Sequence, residues 1–230
     1  EFRRVLCRSG NGLRNEPMGA EAAVLLDGDR TVCRIEECAL GNIISDAIAA
    51  ETGADIVIQN GGGIRADIDA GEITVGEVLT VLPFGNTVAN ATLTGEQVVA
   101  ALENGVSQVE VADGVVSRSG LNGRFPQVSG VQYTFDPTQE AGSRISDVDV
   151  LDRETGEYAP IDLEATYFVA TNDFMLNGGD GYEQFGEGEN LYAFGRPLDQ
   201  VVIDYMAELG TVEPNIEGRI MMVGAEVEER

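Results

Sequence analysis

The stretch "ADIVIQNGGGIR", residues 54–65, limits the fold more than any other segment. An apolar run that short reads as a buried strand, and burial demands packed elements above and below it. The strand runs straight into three glycines, between an amide, Asn60, and a cation, Arg65. Around it, helical and strand periods mix. "LGNIISDAIAAE" puts Leu40, Ile43, Ile44, Ala47 and Ile48 on one helical face, and Val98, Val99, Leu102, Val106 and Val109 form a second stripe. "LDQVVIDYMAEL" makes a third helix, while "TVGE" (74–77) and "TGEQ" (94–97) carry capping-box signals.

Strands are expected over 22–28, 54–60, 86–93 and 166–172, in "QVSGVQYTF" and "RISDVDVLD", and at "EGRIMMV". Residues 110–125 read as loop. Because the elements do not alternate as clean βαβ units, the expectation is an α+β fold with a mixed sheet covered by helices. One domain is expected over 16–224, with a frayed tail at 225–230. Residues 1–15 stand apart: Arg3, Arg4, Arg8 and Arg14 meet only Glu1 there, which suggests an upstream linker or a non-native segment.

Charge and composition exclude several functions. The 230 residues carry 40 acids against 14 basic residues, a net charge of -26, and every basic residue is an arginine. Such a surface repels nucleic acid polymers and anionic membranes. An anionic ligand would bind only where arginines are placed for it. No apolar run reaches membrane-spanning length. There is no histidine, which removes Ser-His-Asp and Cys-His catalysis and every His-ligated metal site from this chain. Cys33 and Cys38 are spaced C-x4-C around Arg34; spacing alone leaves a short-loop disulfide and two free thiols equally open.

Four loop segments could carry chemistry. "NGGGIR" is neither a dinucleotide fingerprint nor a P-loop, so taken alone it is a tight turn or a ligand loop. Arg65 favours the ligand loop, since a guanidinium can hold a phosphate or carboxylate through two parallel bonds. Arg34 is either a second such cation or a surface residue beside Glu36 and Glu37. Phe84 in "LPFGN" and Phe174 in "NDFMLNGGDGY" sit beside glycines, where a ring is either a loop anchor or a stacking surface for a flat heterocycle. Asp180 is either a turn residue or an acceptor for ribose hydroxyls.

Taken together, "LDGDRTVCRIEECALGNIISDAI", "QNGGGIRADIDAGEITVGEVLTVLPFGNTV" and "TNDFMLNGGDGY" strongly resemble the C-terminal domain of the 5'-nucleotidase family, from about Met18 to about Val223. That family includes bacterial UDP-sugar hydrolases and animal ecto-5'-nucleotidases. The resemblance implies a layered α/β/β/α domain that binds a nucleotide or nucleoside. By motif position, Phe84 and Phe174 would stack on the base, Asn60 would hydrogen-bond it, Asp180 would hold the ribose hydroxyls, and Arg34 and Arg65 would contact phosphate. Gly62 and Gly63 would allow close approach. Cys33 and Cys38 match a pair that is a disulfide in the animal enzymes.

The resemblance places catalysis elsewhere. A partner N-terminal metallophosphoesterase domain would hold two divalent ions of the Zn, Mn or Co class, and this domain would bind no cofactor and be inactive alone. Periplasmic, secreted or cell-surface localisation follows from the same likeness. The alternatives are the same domain type from a UDP-sugar hydrolase, a 2',3'-cyclic nucleotide phosphodiesterase or a thiohydrolase-like protein, or a non-enzymatic nucleotide-binding module.

Overall fold

A computed structural model describes residues 15–230. The expectation for 1–15 therefore falls almost entirely outside the described residues. In chain order the elements are β1 (Pro17–Ala22), α1 (Arg30–Cys33), α2 (Ala39–Thr52), β2 (Ile56–Asn60), β3 (Gly71–Thr74), α3 (Val75–Val81), β4 (Val88–Thr94) and α4 (Gly95–Val106). The short β5 (Val111–Ala112) and β6 (Val115–Val116) precede β7 (Pro126–Ser129), β8 (Val131–Phe135), β9 (Ile145–Leu151), β10 (Tyr158–Pro160) and β11 (Thr166–Asn172). After them come α5 (Asp173–Leu176), α6 (Glu183–Gly186), β12 (Glu189–Tyr192), α7 (Leu198–Leu209), β13 (Thr211–Val212), β14 (Ile220–Met222) and β15 (Glu226–Val227).

The central sheet has the order β12-β4-β11-β2-β7. Strand β2 runs parallel to β11, and the other pairings are antiparallel, so the sheet is mixed. Every residue of β2 is buried. Its alternation explains why: Val57 enters one core with α2 and α7, while Ile56 and Ile58 enter the other with α4 and the inner face of a second sheet, β10-β9-β8-β14. Helices therefore cover one face, and α4 with a sheet covers the other. This is the α+β class with a mixed sheet that the periodicity implied.

Both capping boxes form. Thr74 accepts from the Glu77 amide while Glu77 returns to the Thr74 backbone, and Thr94 and Gln97 do the same at α4. Several local expectations change. The first strand lies at Pro17–Ala22 rather than 22–28, because Asp27, Gly28 and Asp29 are spent on turn and cap bonds: the Gly28 amide donates to Asp67 Oδ1 and Asp29 caps α1. Within 110–125, β5 and β6 form a hairpin about Asp113 and Gly114, both at positive φ, as a two-residue type I′ turn requires. The expected frayed tail instead pairs: β15 runs parallel to β6, and Arg230 forms an ion pair with Asp27 at 2.6 Å.

The single strand expected across "QVSGVQYTF" is split at Gly130, where φ is +74° and a Cβ would sit 2.0 Å from the Asp55 carbonyl oxygen. A side chain there meets both a left-handed backbone and a fixed neighbour. Gly130→Ala is expected to destabilise the domain by on the order of 2 kcal/mol in chemical denaturation with an unchanged m-value.

Candidate functional site

At the end of β2 the chain turns through a 3-10 segment, Gly61–Gly63. The glycines serve close packing. A Cβ on Gly61 would lie 2.0 Å from the Cys33 carbonyl, and one on Gly62 would lie 2.8 Å from the Gly123 Cα. Their N–H groups donate to Phe125 and Gly123 carbonyls at 2.8 and 2.7 Å. The Gly61 and Gly62 amides are therefore already satisfied and do not cradle an anion; the turn instead seats the 121–125 loop against β2.

The seating opens a cleft of about 420 Å³. Arg34, Asn60, Gly62, Gly63, Arg65, Phe84, Phe174 and Asp180 all line it, although they come from four separate segments. Asn86 and Gly123 join them and were missed in the sequence. Asn86 had a weak signal, two residues after Phe84 in the same loop. Gly123 had none, since its place depends on its contact with Gly62.

Phe84 and Phe174 are 60% and 46% exposed, so neither ring is a core anchor. Phe174 rides on α5, whose N-cap Asn172 accepts from the Met175 amide. The Phe84 loop is tied to the same turn: Asp173 accepts from Asn86 Nδ2 at 2.8 Å and from the Thr87 amide at 3.0 Å. One two-residue stretch thus holds both rings in place. The Arg65 guanidinium lies 5.6 Å from the Phe84 ring centroid, within cation–π range.

Arg34 is not neutralised by its neighbours in sequence. Glu36 pairs with Arg118 at 2.6 Å, and Glu37 is consumed by Asn42 Nδ2 and the backbone amides of Glu217 and Arg219. Among the described residues neither Arg34 nor Arg65 takes part in a salt bridge. Among the described residues Arg34 reaches only the Leu121 carbonyl, at 3.4 Å, and its buried Nε lacks a partner there. Burial, then the charges of Arg65 and Arg30, lower its pKa, and Asp180 acts in the opposite sense. Two cations thus converge on one cleft of an acidic protein, one of them incompletely bonded, and give that cleft a local positive charge.

The loop carrying Arg34 is closed by the Cys33–Cys38 disulfide, with Cα atoms 5.1 Å apart. Both cysteines are buried, and Cys38 also caps α2. Opposite, Asp180 sits at φ 56° in a 3-10 turn after Gly178, a conformation that aspartate tolerates better than most residues. Its Oδ2 accepts from Asn60 Nδ2 at 2.7 Å, and Asn104 supports its carbonyl at 3.2 Å. Next to it Tyr182 is fully buried, which pushes its hydroxyl pKa far up, and it donates to the Arg124 carbonyl at 2.6 Å. Asp180 is therefore fixed from below.

The family model for the "5'-nucleotidase, C-terminal domain" matches residues 18–187. The chain belongs to this family. It is 43% identical over 216 residues to the trifunctional nucleotide phosphoesterase protein YfkN of Bacillus subtilis, covering 92% of this chain and 14% of that protein. A snake venom 5'-nucleotidase of Gloydius brevicauda is 33% identical, over 86% of this chain and 35% of its own length. A 5'-nucleotidase precursor from Thermus thermophilus superposes with a TM-score of 0.84 at 42% identity, covering 99% of this chain and 42% of that one. The chain thus spans well under half the length of these relatives.

Removing the disulfide with Cys33→Ala/Cys38→Ala frees the four-residue loop that carries Arg34. The paired variant is expected to lose about 2 kcal/mol of stability, read as a lower denaturation midpoint that added reductant no longer moves.

Proposed function

We propose that this domain is the nucleotide-recognition part of a 5'-nucleotidase. The observation that carries the reading is the convergence, in one cleft, of two half-exposed rings with two arginines that form no salt bridge among the described residues. The rings take the base, Asp180 accepts from ribose hydroxyls, and Arg34 and Arg65 face the phosphate. Asn60 stands beside Asp180 and reaches the base from there, together with Asn86. The domain's contribution to turnover is orientation and neutralisation of phosphate charge.

The hydrolytic step belongs to a partner N-terminal metallophosphoesterase domain, whose two divalent ions would activate the attacking water. Among the described residues, no group of three or more His, Cys, Asp or Glu side chains is placed to hold a metal ion. A location outside the cytoplasm is part of the same proposal. The disulfide and the venom relative support it. No helix among the described residues is long and apolar enough to cross a membrane.

Calorimetric titration with adenosine and AMP tests the reading. Phe84→Ala and Phe174→Ala are each expected to weaken adenosine binding by about 1–3 kcal/mol. Arg34→Met should weaken AMP about tenfold and leave adenosine nearly unchanged, since a charge-assisted bond is lost only with the phosphate. Equal losses for both ligands would place Arg34 away from the phosphate. The chain alone, supplied with Mn, Co or Zn ions, is expected to release no phosphate from AMP; chelator-sensitive release from a pure preparation would refute that.

A further inference from the structure

Beneath the cleft lies a row of buried side-chain amides. Asn172 is 2% exposed and does not line the cleft. Its Oδ1 accepts from the Met175 backbone N–H at 2.9 Å. A backbone N–H can only donate, so this bond fixes which end of the amide faces which way. The Asn172 Nδ2 must then face β2, where it donates to Gln59 Oε1 at 2.9 Å and to Asn60 Oδ1 at 3.0 Å. Gln59 Nε2 adds a second donor to Asn60 Oδ1 at 3.3 Å. With its oxygen taken by two donors, Asn60 turns its Nδ2 outward and donates to Asp180 Oδ2 at 2.7 Å.

The four groups form one polarity relay, from the Met175 N–H through Asn172 and Asn60 to the Asp180 carboxylate. Reversing Asn60 would set its oxygen 2.7 Å from a carboxylate oxygen. Two acceptors at that distance repel, and the carboxylate would leave its place. We propose that Asn172 is a positioning residue for this cleft: by fixing the direction of the Asn60 amide, it holds one Asp180 oxygen and leaves the other free to accept from a ligand hydroxyl. The role rests on the nucleoside reading above and acts through Asn60, without contact between Asn172 and the ligand. Its energetic logic is preorganisation, since a carboxylate already held loses less freedom when the ligand arrives.

Asn172 also caps α5, so the test must separate the cap from the relay. Asp and Ser cap about as well as Asn but bring no amide donor. Asn172→Asp and Asn172→Ser therefore keep the turn and remove the polarity signal. Two readouts on the full chain apply: the Asn60 side-chain NH2 resonances by NMR without ligand, and adenosine affinity by calorimetry. In Asn172→Asp the Asn60 resonances are expected to leave their wild-type positions, and adenosine to bind roughly tenfold more weakly or worse. Asn172→Ser should shift both in the same direction, and it serves if the buried carboxylate of the first variant prevents folding.

The double variant Asn172→Asp/Asp180→Asn reverses each polarity in turn. It should restore one ordered set of Asn60 resonances while adenosine affinity stays below wild type, because the ribose then meets a neutral amide oxygen, a weaker acceptor than a carboxylate. Wild-type Asn60 resonances in a folded single variant would overturn the relay. Displaced resonances with unchanged adenosine affinity would overturn the positioning role. If the wild-type chain binds no adenosine, the nucleoside reading fails by itself and with it the positioning role, while the resonances still decide whether the relay exists.

Discussion

Strand β2 is buried along its whole length, and that double burial organises the rest of the domain. Val57 feeds one core and Ile56 and Ile58 the other, so neither face of this strand is left to solvent. Burial on this scale is the main favourable contribution to folding, and here it comes from both sides of one five-residue element. The same strand has to end somewhere polar. It does so at Gln59 and Asn60, whose side chains are buried yet hydrogen-bonded. The core and one wall of the cleft are therefore consecutive parts of one strand.

The cleft shows how a strongly acidic chain can keep local positive charge available. Glu36 and Glu37, next to Arg34 in sequence, are drawn away by Arg118 and by backbone amides of the 217–219 segment. The cation is left incompletely bonded. Net charge sets the long-range repulsion, and local hydrogen bonding decides which positive charges stay available. The polar floor follows a related rule. Buried amides are tolerated where each has partners, and a single backbone donor at Met175 is enough to set the direction of the group beyond it.

Legibility differed by element for physical reasons. The helices over Ala39–Thr52 and Leu198–Leu209 and the two capping boxes are local, so period and cap chemistry revealed them. The Asp113–Gly114 hairpin was equally local but hidden inside a glycine-rich run. The first strand was misplaced because turn chemistry at Asp27–Asp29 overrode an apolar stretch. The tail's pairing with β6 could not be anticipated, because it depends on a partner more than a hundred residues away.

For the cleft, the sequence alone determined which residue types were on offer: two rings beside glycines, two isolated arginines, an amide after a buried strand, and no histidine. It also placed them in motifs that resemble one family. Only the tertiary structure decided that they share one cavity, that Cys33 and Cys38 are joined, and that the Gly61 and Gly62 amides are spent on the 121–125 loop. The direction of the Asn60 amide belongs to the same class of fact. All but the disulfide depend on groups far apart in the chain being brought together by the fold. Local propensity carries no information about such meetings, which are set by the packing of the sheet between its two cores.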